Sequence, residues 1–544
     1  MQFNLATVVE TVVDAVPDRI MLTYEGENFS YAEMDRKFNQ VAHLFAAHGI
    51  GRDDKVALFL KNSVEHVTAL LGTLKIGATP VNVNYRYTDP ELEYIFDNSD
   101  AAGIVVELPE HQRSVASMLA NLPEARVIFV IGEQVPELAA AVAALPDGRS
   151  VEIVDFAESD SLPDGRDFGE RNGDEIYLIY TGGTTGYPKG VMWRHDDFFR
   201  KPISGGNPYG PARADYDEIA REVVNFPSIA FLLAAPLMHG AASYSLFTFL
   251  SLGGRLILER DFDAATIVKN IERDQTQMIL IVGDAMGQPL VEELERQAGK
   301  VDLSSLFSVT SGGAIWSKAN RERLLKVKPD LMLRDNFGAS ESGNDGEMKL
   351  DENGNLKVED TSRMMVVDER FEQITTPGEV GLIARIGNVP LGYYKDEEKT
   401  ARTFPTLSDG RRISVLGDMG YVHEDGGIVF LGRGSQCINT GGEKVYAEEV
   451  ENVLHGHPAL GDVLVVPVPD AKYGQRVAAV VQVKEGATAP TVEELQDFCR
   501  AELAGYKVPR NVAFVEHVRR TPAGKADYKW AKQTAESEFT DAAV

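Results

Sequence analysis

The sequence predicts an α/β protein: a large N-terminal domain of helix-covered sheets with a small β-barrel-like part, followed by a small α/β C-terminal domain. Three observations predict it. Apolar strand patterns alternate with helical ones through the first 170 residues and again over 227–340, a spacing that implies parallel sheets covered by helices. From about residue 365 the pattern changes to short strands with Gly-rich turns. After Gly432 and Arg433 a new helix–strand–strand–helix unit begins, and its roughly 110 residues are enough for an independent domain. The boundary is placed at 433–436, dividing the chain into 1–433 and 434–544.

Each element has a local reason. Residues 31–48 read as a helix, with Ser30 as N-cap, Glu33 completing a capping box and Gly49 just past the end. A buried strand is expected at 55–60. A helix follows over 63–75, ending before Gly77, and then a strand over 79–83. Asp89 is read as the cap of a helix with Pro90 at its first position, running to about Asn98, ahead of a strand over 102–107. Further strands are expected at 176–180, 190–193, 256–258, 277–282 and 331–336. Between them, 201–225 is polar, rich in Gly and Pro and weakly periodic, and reads as a surface insertion, either a lid or a tolerated loop. In the C-terminal unit, helices are expected at 447–455 and 492–503, and strands at 463–468 and 478–483.

Composition narrows the function. Apolar residues make up 44% and charged residues 25% of the 544, so a large core is available. The 54 basic and 83 acidic residues leave a net charge of −29, which repels phosphate backbones, and no basic patch offsets it. Nucleic acid is therefore not an expected partner. Cys437 and Cys499 are too few for a disulfide framework or a structural zinc site. The first residues carry Glu10 and Asp14 and no basic leader, and the longest apolar stretch, 229–238, is about half of a membrane span. A soluble cytoplasmic protein without a membrane span is expected; a homodimer stays open.

The most informative segment is 180–190, YTGGTTGYPKG, with four glycines and three threonines in eleven residues. Its backbone N–H groups and hydroxyls can wrap phosphate oxygens, and Lys189 adds charge. A Walker A loop would place Gly-Lys-Ser/Thr at its end; here Lys189 lies between Pro188 and Gly190, so that alternative fails. The string resembles the signature of the adenylate-forming superfamily, which comprises acyl- and aryl-CoA synthetases, peptide-synthetase adenylation domains and firefly luciferase. Distant segments resemble the same family in the same order: 77–86 (GATPVNVNYR), 310–315 (TSGGAI), 335–341 (DNFGASE, with Ser340 for the usual Thr), 416–418 (LGD), Gly432-Arg433, 441–444 (GGEK) and 520–525 (RTPAGK). The likeness runs from about residue 5 to 530.

The resemblance implies roles. Thr181, Gly182, Gly183, Thr184, Thr185, Gly186 and Lys189 would cradle the triphosphate of ATP. Gly312, Gly313 and Ala314 would flank adenine, next to the segment Asn336, Phe337, Gly338, Ala339 and Ser340. Glu341, with Thr181, would ligate Mg²⁺, a cation suited to hard oxygen donors. Asp418 would accept both ribose hydroxyls and Arg433 would contact ribose and phosphate. Gly441, Gly442 and Lys444 would line the tunnel for coenzyme A. Lys525 would enter the site during adenylation, carried by a mobile C-terminal domain. The family's hinge usually has Lys or Asp after the Gly-Arg pair; this chain has Gly434, Ser435 and Gln436. His239, in 236–243 (PLMHGAAS), resembles the family's His at the carboxylate. It counts among the catalytic residues with Lys525, Glu341 and Thr181, as a wall of the acid pocket or as a proton-transfer group.

The expected activity is that of an ATP-dependent acyl-CoA ligase acting through acyl-AMP. Amino-acid adenylation would need an acidic residue near Leu237 and Met238, and there is none; a luciferase-like oxygenase would share every motif. For the acid, the small residues Gly240, Ala241, Ala242 and Ser243 either widen the pocket or let a helix pack closely. The first option, together with the resemblance of 180–195 and 236–240 to bacterial ligases of steroid degradation, puts a bulky steroid side-chain acid ahead of a medium- or long-chain fatty acid.

Overall fold

Strand Lys55–Phe59 shows how the core is divided. Val56 and Leu58 pack into one apolar layer, while Ala57 and Phe59 pack into another, because successive strand side chains point to opposite faces. Strand Arg255–Leu258 does the same with Leu256 and Leu258 on one side and Ile257 on the other. The layer shared by both strands contains Val8, Val12, Phe38, Phe45, Leu71, Leu74, Phe247 and Leu250. Helices Leu5–Ala15, Tyr31–Ala47, Val64–Lys75 and Gly240–Ser251 are thus sandwiched between two sheets. A strand covered on both faces reads as a continuous apolar run, which is why 55–60 and 229–238 look alike in sequence.

The computed structural model describes residues 1–181, 188–312, 316, 318–350, 356–440, 443–470, 474–503, 505–521 and 525–539. Among these, one sheet has the parallel strands Ile20–Tyr24, Arg255–Leu258, Ala230–Leu233, Met278–Ile281, Ser308–Gly312 and Met332–Ala339 as neighbours. It continues through the antiparallel strand Gly343–Leu350 into the short antiparallel strands between 356 and 433. A second sheet is parallel from Glu152–Asp155 to Ile176–Thr181 and ends in the antiparallel strands Lys189–Arg194 and Gly392–Tyr393. A third sheet, from Cys437–Thr440 to Asn511–Val515, carries its own core around Val450, Val465 and Val481.

Most expected elements occur within a residue or two. Ser30 and Glu33 form the capping box through Ser30 N–H to Glu33 (2.7 Å) and Glu33 N–H to Ser30 (3.2 Å). One cap differs: Thr88, not Asp89, is the N-cap of Asp89–Asn98, and its hydroxyl donates to Glu91.

The segment 201–225 is only partly a surface loop: its start and one face of its helix are built into the core, and the rest is exposed. Lys201, Ile203 and Arg213 are buried, and Arg213 pairs with Glu222 (2.9 Å) and donates to the carbonyl of Ser251 (2.6 Å). Helix Tyr216–Asn225 buries Ile219 and Val223 and packs on Leu5–Ala15, with the Tyr216 hydroxyl accepting from Asn4 N–H. Two of its charges, Lys201 and Arg213, are internal, and an apolar-pattern reading does not register them.

The helical layer is clasped by charge. The ammonium of Lys75, 1% exposed, lies 2.7 Å from both Glu10 and Asp35, so three helices meet at one atom. Arg166 and Arg171 brace the two carboxylates from the chain beyond. Removing one partner of a buried ion cluster leaves the others uncompensated. Lys75→Met is expected to lower stability by about 3 kcal/mol, seen as an earlier urea transition of the N-terminal unit; an unshifted midpoint would show the clasp to be dispensable.

Candidate active site

Thr181, Gly312, His239 and Glu341 lie at, or in the segments just beyond, the ends of parallel strands. Thr181 closes strand Ile176–Thr181 and faces Lys189 across the antiparallel pair, so the two ends of the Gly/Thr-rich loop meet. Gly182, Gly183, Thr184, Thr185 and Gly186 lie outside the described residues. The Lys189 ammonium stands 5.5 Å over the ring of Tyr393 and 3.8 Å from Asp396. Burial lowers its pKa and Lys399 adds to that, against the attraction of Asp396. Asn82 ties this strand to the loop before His239: its amide donates to the carbonyls of Tyr180 (3.0 Å) and Met238 (2.5 Å).

Within the first sheet, strands Ser308–Gly312 and Met332–Ala339 set Gly312 beside Asn336 in parallel register, two positions expected on the adenine side. Gly313 and Ala314 lie outside the described residues, and of Phe337 only the backbone is described, within Met332–Ala339. Beyond Ala339 the chain turns tightly. A Cβ on Gly338 would sit 2.1 Å from the carbonyl oxygen of Gly343, so a side chain there is impossible without moving the turn. The turn is pinned from outside: the Ser340 carbonyl accepts from Trp193 Nε1 and from the Tyr244 hydroxyl, both at 2.9 Å. Glu341 accepts a 2.9 Å bond from the Tyr393 hydroxyl, whose pKa is raised by burial and then by the Glu341 charge.

His239 occupies the N-cap position of helix Gly240–Ser251. Burial drives its pKa down to about 4, and the positive charges of Arg86 and Lys525 push the same way. Lys525 therefore stands near the same loop, although it belongs to the C-terminal unit. It is exposed in a hairpin closed by Thr521 N–H to the Lys525 carbonyl (2.7 Å). The small residues after His239 are used for packing. A Cβ on Gly240 would lie 3.2 Å from Ser340 Oγ, Ala242 and Ser243 are buried, and Ser243 donates back to the Gly240 carbonyl. Of the two options for these positions, close helix packing is the one the geometry favours.

Asp418 is buried, and its strand pairs it with Arg433. The side chains of Arg433 and Lys444, and all of Gly441 and Gly442, lie outside what is described. The partner of Asp418 that sequence reasoning missed is Arg385, fully buried, whose guanidinium pairs with Asp418 and with Asp345 (3.1 Å). Burial works against its charge, and the two carboxylates more than offset this, leaving its pKa raised. Tyr393, Tyr244 and Trp193 were missed too. An arginine ending the apolar strand Val380–Arg385 was the available signal for the first; the aromatic residues carried none.

For a divalent cation, the described residues contain no cluster of three or more His, Cys, Asp or Glu side chains. The fit is instead to an ion that keeps waters and phosphate oxygens: one carboxylate, Glu341, and the hydroxyl of Thr181 at the mouth of the loop suit Mg²⁺ in that mode. No helix among the described residues is long and apolar enough to cross a membrane.

Comparison with known proteins gives the same picture. Residues 9–394 match the family model described as AMP-binding enzyme, and 449–525 match the AMP-binding enzyme C-terminal domain. The chain is 42% identical to a medium/long-chain-fatty-acid–CoA/3-oxocholest-4-en-26-oate–CoA ligase of Mycobacterium tuberculosis, over 99% of this chain and 97% of that protein. It is 39% identical to a 3-oxocholest-4-en-26-oate–CoA ligase of Rhodococcus rhodochrous, over 98% and 96%. In fold it resembles the anthranilate CoA ligase AuaEII bound to anthranoyl-AMP (TM-score 0.82, 21% identity, 99% and 98% coverage). ATP-bound MatB from Rhodopseudomonas palustris is similar (TM-score 0.80, 23% identity, 99% and 100% coverage).

A neutral His239 has consequences that can be measured. With a folded pKa near 4 and an unfolded one near 6.5, the unfolded chain binds the extra proton between those values. This group's stabilising contribution is thus present above about pH 6.5 and lost as pH falls towards 4. In NMR of ¹³C-labelled histidine, the resonance missing from His239→Asn should hold its neutral shift from pH 8 down to about 5.5; a midpoint near 6.5 would contradict the burial argument.

Proposed function

The chain belongs to the AMP-binding enzyme family, and from that premise we propose that it is an ATP-dependent acyl-CoA ligase. A carboxylic acid and ATP give acyl-AMP and diphosphate, and the thiol of coenzyme A then displaces AMP to give acyl-CoA. The observation that carries this reading is the gathering of Thr181, Lys189, Glu341, His239 and Lys525, four segments far apart in sequence, around the ends of two sheets. Such sheet ends are where open α/β folds bind ligands.

The residues would divide the work electrostatically. Thr181 and Lys189 hold triphosphate oxygens, and Asp418 with Arg433 holds the ribose. Mg²⁺, when bound at Glu341 and Thr181, supplies charge neutralisation for the departing diphosphate. Tyr393 holds Glu341 by one oxygen, leaving the carboxylate's remaining lone pairs for that ion. Lys525 faces the charge that builds on the α-phosphate as the carboxylate oxygen attacks. Neutral His239 walls the carboxylate side; with its pKa near 4 it carries no charge to trap the acid anion. None of these groups is a nucleophile, so rate enhancement is a matter of positioning and preorganised charge. Domain division at 433/434 would let the C-terminal unit leave after adenylation and bring 441–444 to the coenzyme A thiol.

For the acid, we infer a bulky apolar carboxylate of the steroid side-chain type, with medium- and long-chain fatty acids as the second reading. The names of the Mycobacterium tuberculosis and Rhodococcus relatives support both classes and favour the first. The volume argument from Gly240 carries less weight, since a Cβ there would already lie 3.2 Å from Ser340 Oγ.

Two measurements test this. Lys525→Ala should lower acyl-AMP formation ~10²–10³-fold, about 3–4 kcal/mol, while largely sparing thioester formation from supplied acyl-AMP. Equal loss in both half-reactions would remove Lys525 from its role. In competition kinetics, a C22 or C24 steroid acid should exceed octanoate and palmitate in kcat/KM; palmitate outrunning every ring-bearing acid would reverse the substrate order.

A further inference from the structure

Beneath the ribose side of the site lies a buried ion cluster that no sequence motif marks. Every guanidinium nitrogen of Arg385 is committed: Nε donates to Asp345 (3.1 Å), Nη1 to the Ile383 carbonyl (3.2 Å) and Nη2 to Asp418 Oδ2. Asp345, itself buried, also accepts from Ser342 Oγ at 2.5 Å. Its other oxygen faces the ammonium of buried Lys201 at 3.8 Å. Lys201 is fixed in turn by the carbonyls of Ile386 (2.8 Å) and Arg363 (3.4 Å). The cluster holds two cations and two anions, and it draws on the segment around 201, strands Gly343–Leu350, Val380–Arg385 and Ser414–Val422.

We propose that Arg385, braced by Asp345 and Lys201, is a positioning residue that fixes the plane of the Asp418 carboxylate for the nucleotide's ribose. The inference rests on the reading of Asp418 as the ribose acceptor. A carboxylate can receive a cis-diol only if its plane faces the sugar edge, and the aspartate χ2 torsion is soft. A planar guanidinium bonded to one carboxylate oxygen removes that freedom, which a spherical ammonium or an apolar neighbour does not do. Stability alone gives no reason for the cluster, because well-packed apolar side chains in the same volume commonly stabilise as well or better. The same Asp345 is linked to the nucleotide turn: Ser342 Oγ, its donor, accepts from Ala339 N–H at 3.1 Å. One buried carboxylate thereby sets the ribose acceptor and the Ala339–Glu341 backbone relative to each other.

The test is ribose discrimination, which a purely structural role would not move. The full-length enzyme would be assayed for kcat/KM with ATP and with 2′-deoxy-ATP and 3′-deoxy-ATP, with thermal melting to verify folding. Arg385→Lys should lower kcat/KM for ATP about 10- to 100-fold while changing the deoxy nucleotides by less than about threefold, so that the preference for ribose collapses. Asp345→Asn, which loosens the brace and leaves Arg385 in place, is the second variant should the first not fold, and is expected to lower the preference about 3- to 10-fold. Asp418→Asn separates the two claims. If it too collapses the preference while a folded Arg385→Lys or Asp345→Asn leaves it intact, the positioning role is overturned and the ribose reading stands. If Asp418→Asn lowers all three nucleotides equally, Asp418 is not the ribose acceptor and both claims fall.

Discussion

The helices between the two sheets impose the constraint on which everything else depends. Because Tyr31–Ala47 and Val64–Lys75 are buried between them, both sheets have covered faces, and their strands can offer chemistry only where they stop. The carboxyl ends of Ile176–Thr181, Ala230–Leu233, Ser308–Gly312 and Met332–Ala339 lead into the segments that bear Thr181, His239, Gly312 and Glu341. Loops from two separate sheets can meet over one ligand only if the sheets are held in fixed register. The shared helical layer, clasped at Lys75, provides this.

Electrostatics within the site run against the sign of the whole chain. A protein of net charge −29 does not attract polyphosphate by its overall field, so the attraction has to be local and short-ranged. Lys189, Lys525 and Arg86 are the cations near His239 and the loop; Lys189 is half-buried, where the effective dielectric is lower, while Arg86 and Lys525 act from the exposed rim. Acidic surface elsewhere would then weaken nonspecific association with other anions without weakening the site.

What could be read from sequence follows the range of the interactions. The capping box of Ser30 and Glu33 spans three residues and was legible. Thr88 was missed for Asp89 because both are good caps one position apart. Interest in the Gly/Thr-rich loop, Glu341, Asp418 and Lys525 came from their resemblance to a family, not from any local pattern. Arg385, Asp345 and Lys201 were not legible, since each looks like an ordinary surface charge until partners 33 to 185 residues away are known. The same blindness applied to 201–225, where buried Lys201 and Arg213 imitate solvent exposure. His239 was found, but the neutrality of its ring is a property of packing and has no sequence signal.

The carbonyl of Ser340 has two lone pairs, and Trp193 and Tyr244 take both. Trp193 follows the Gly/Thr-rich segment, Tyr244 lies about one helical turn beyond His239, and the carbonyl itself precedes Glu341. Displacing either donor leaves a buried polar group unsatisfied, at a cost of about 1–3 kcal/mol. A strand, a helix and a turn that would serve three different parts of the reaction thus share one oxygen atom as a common fulcrum. Under the proposed roles, thermodynamic reciprocity would apply: an acid that strained Tyr244 would strain the turn before Glu341, and a nucleotide ill-seated on that turn would weaken the acid's hold to the same degree.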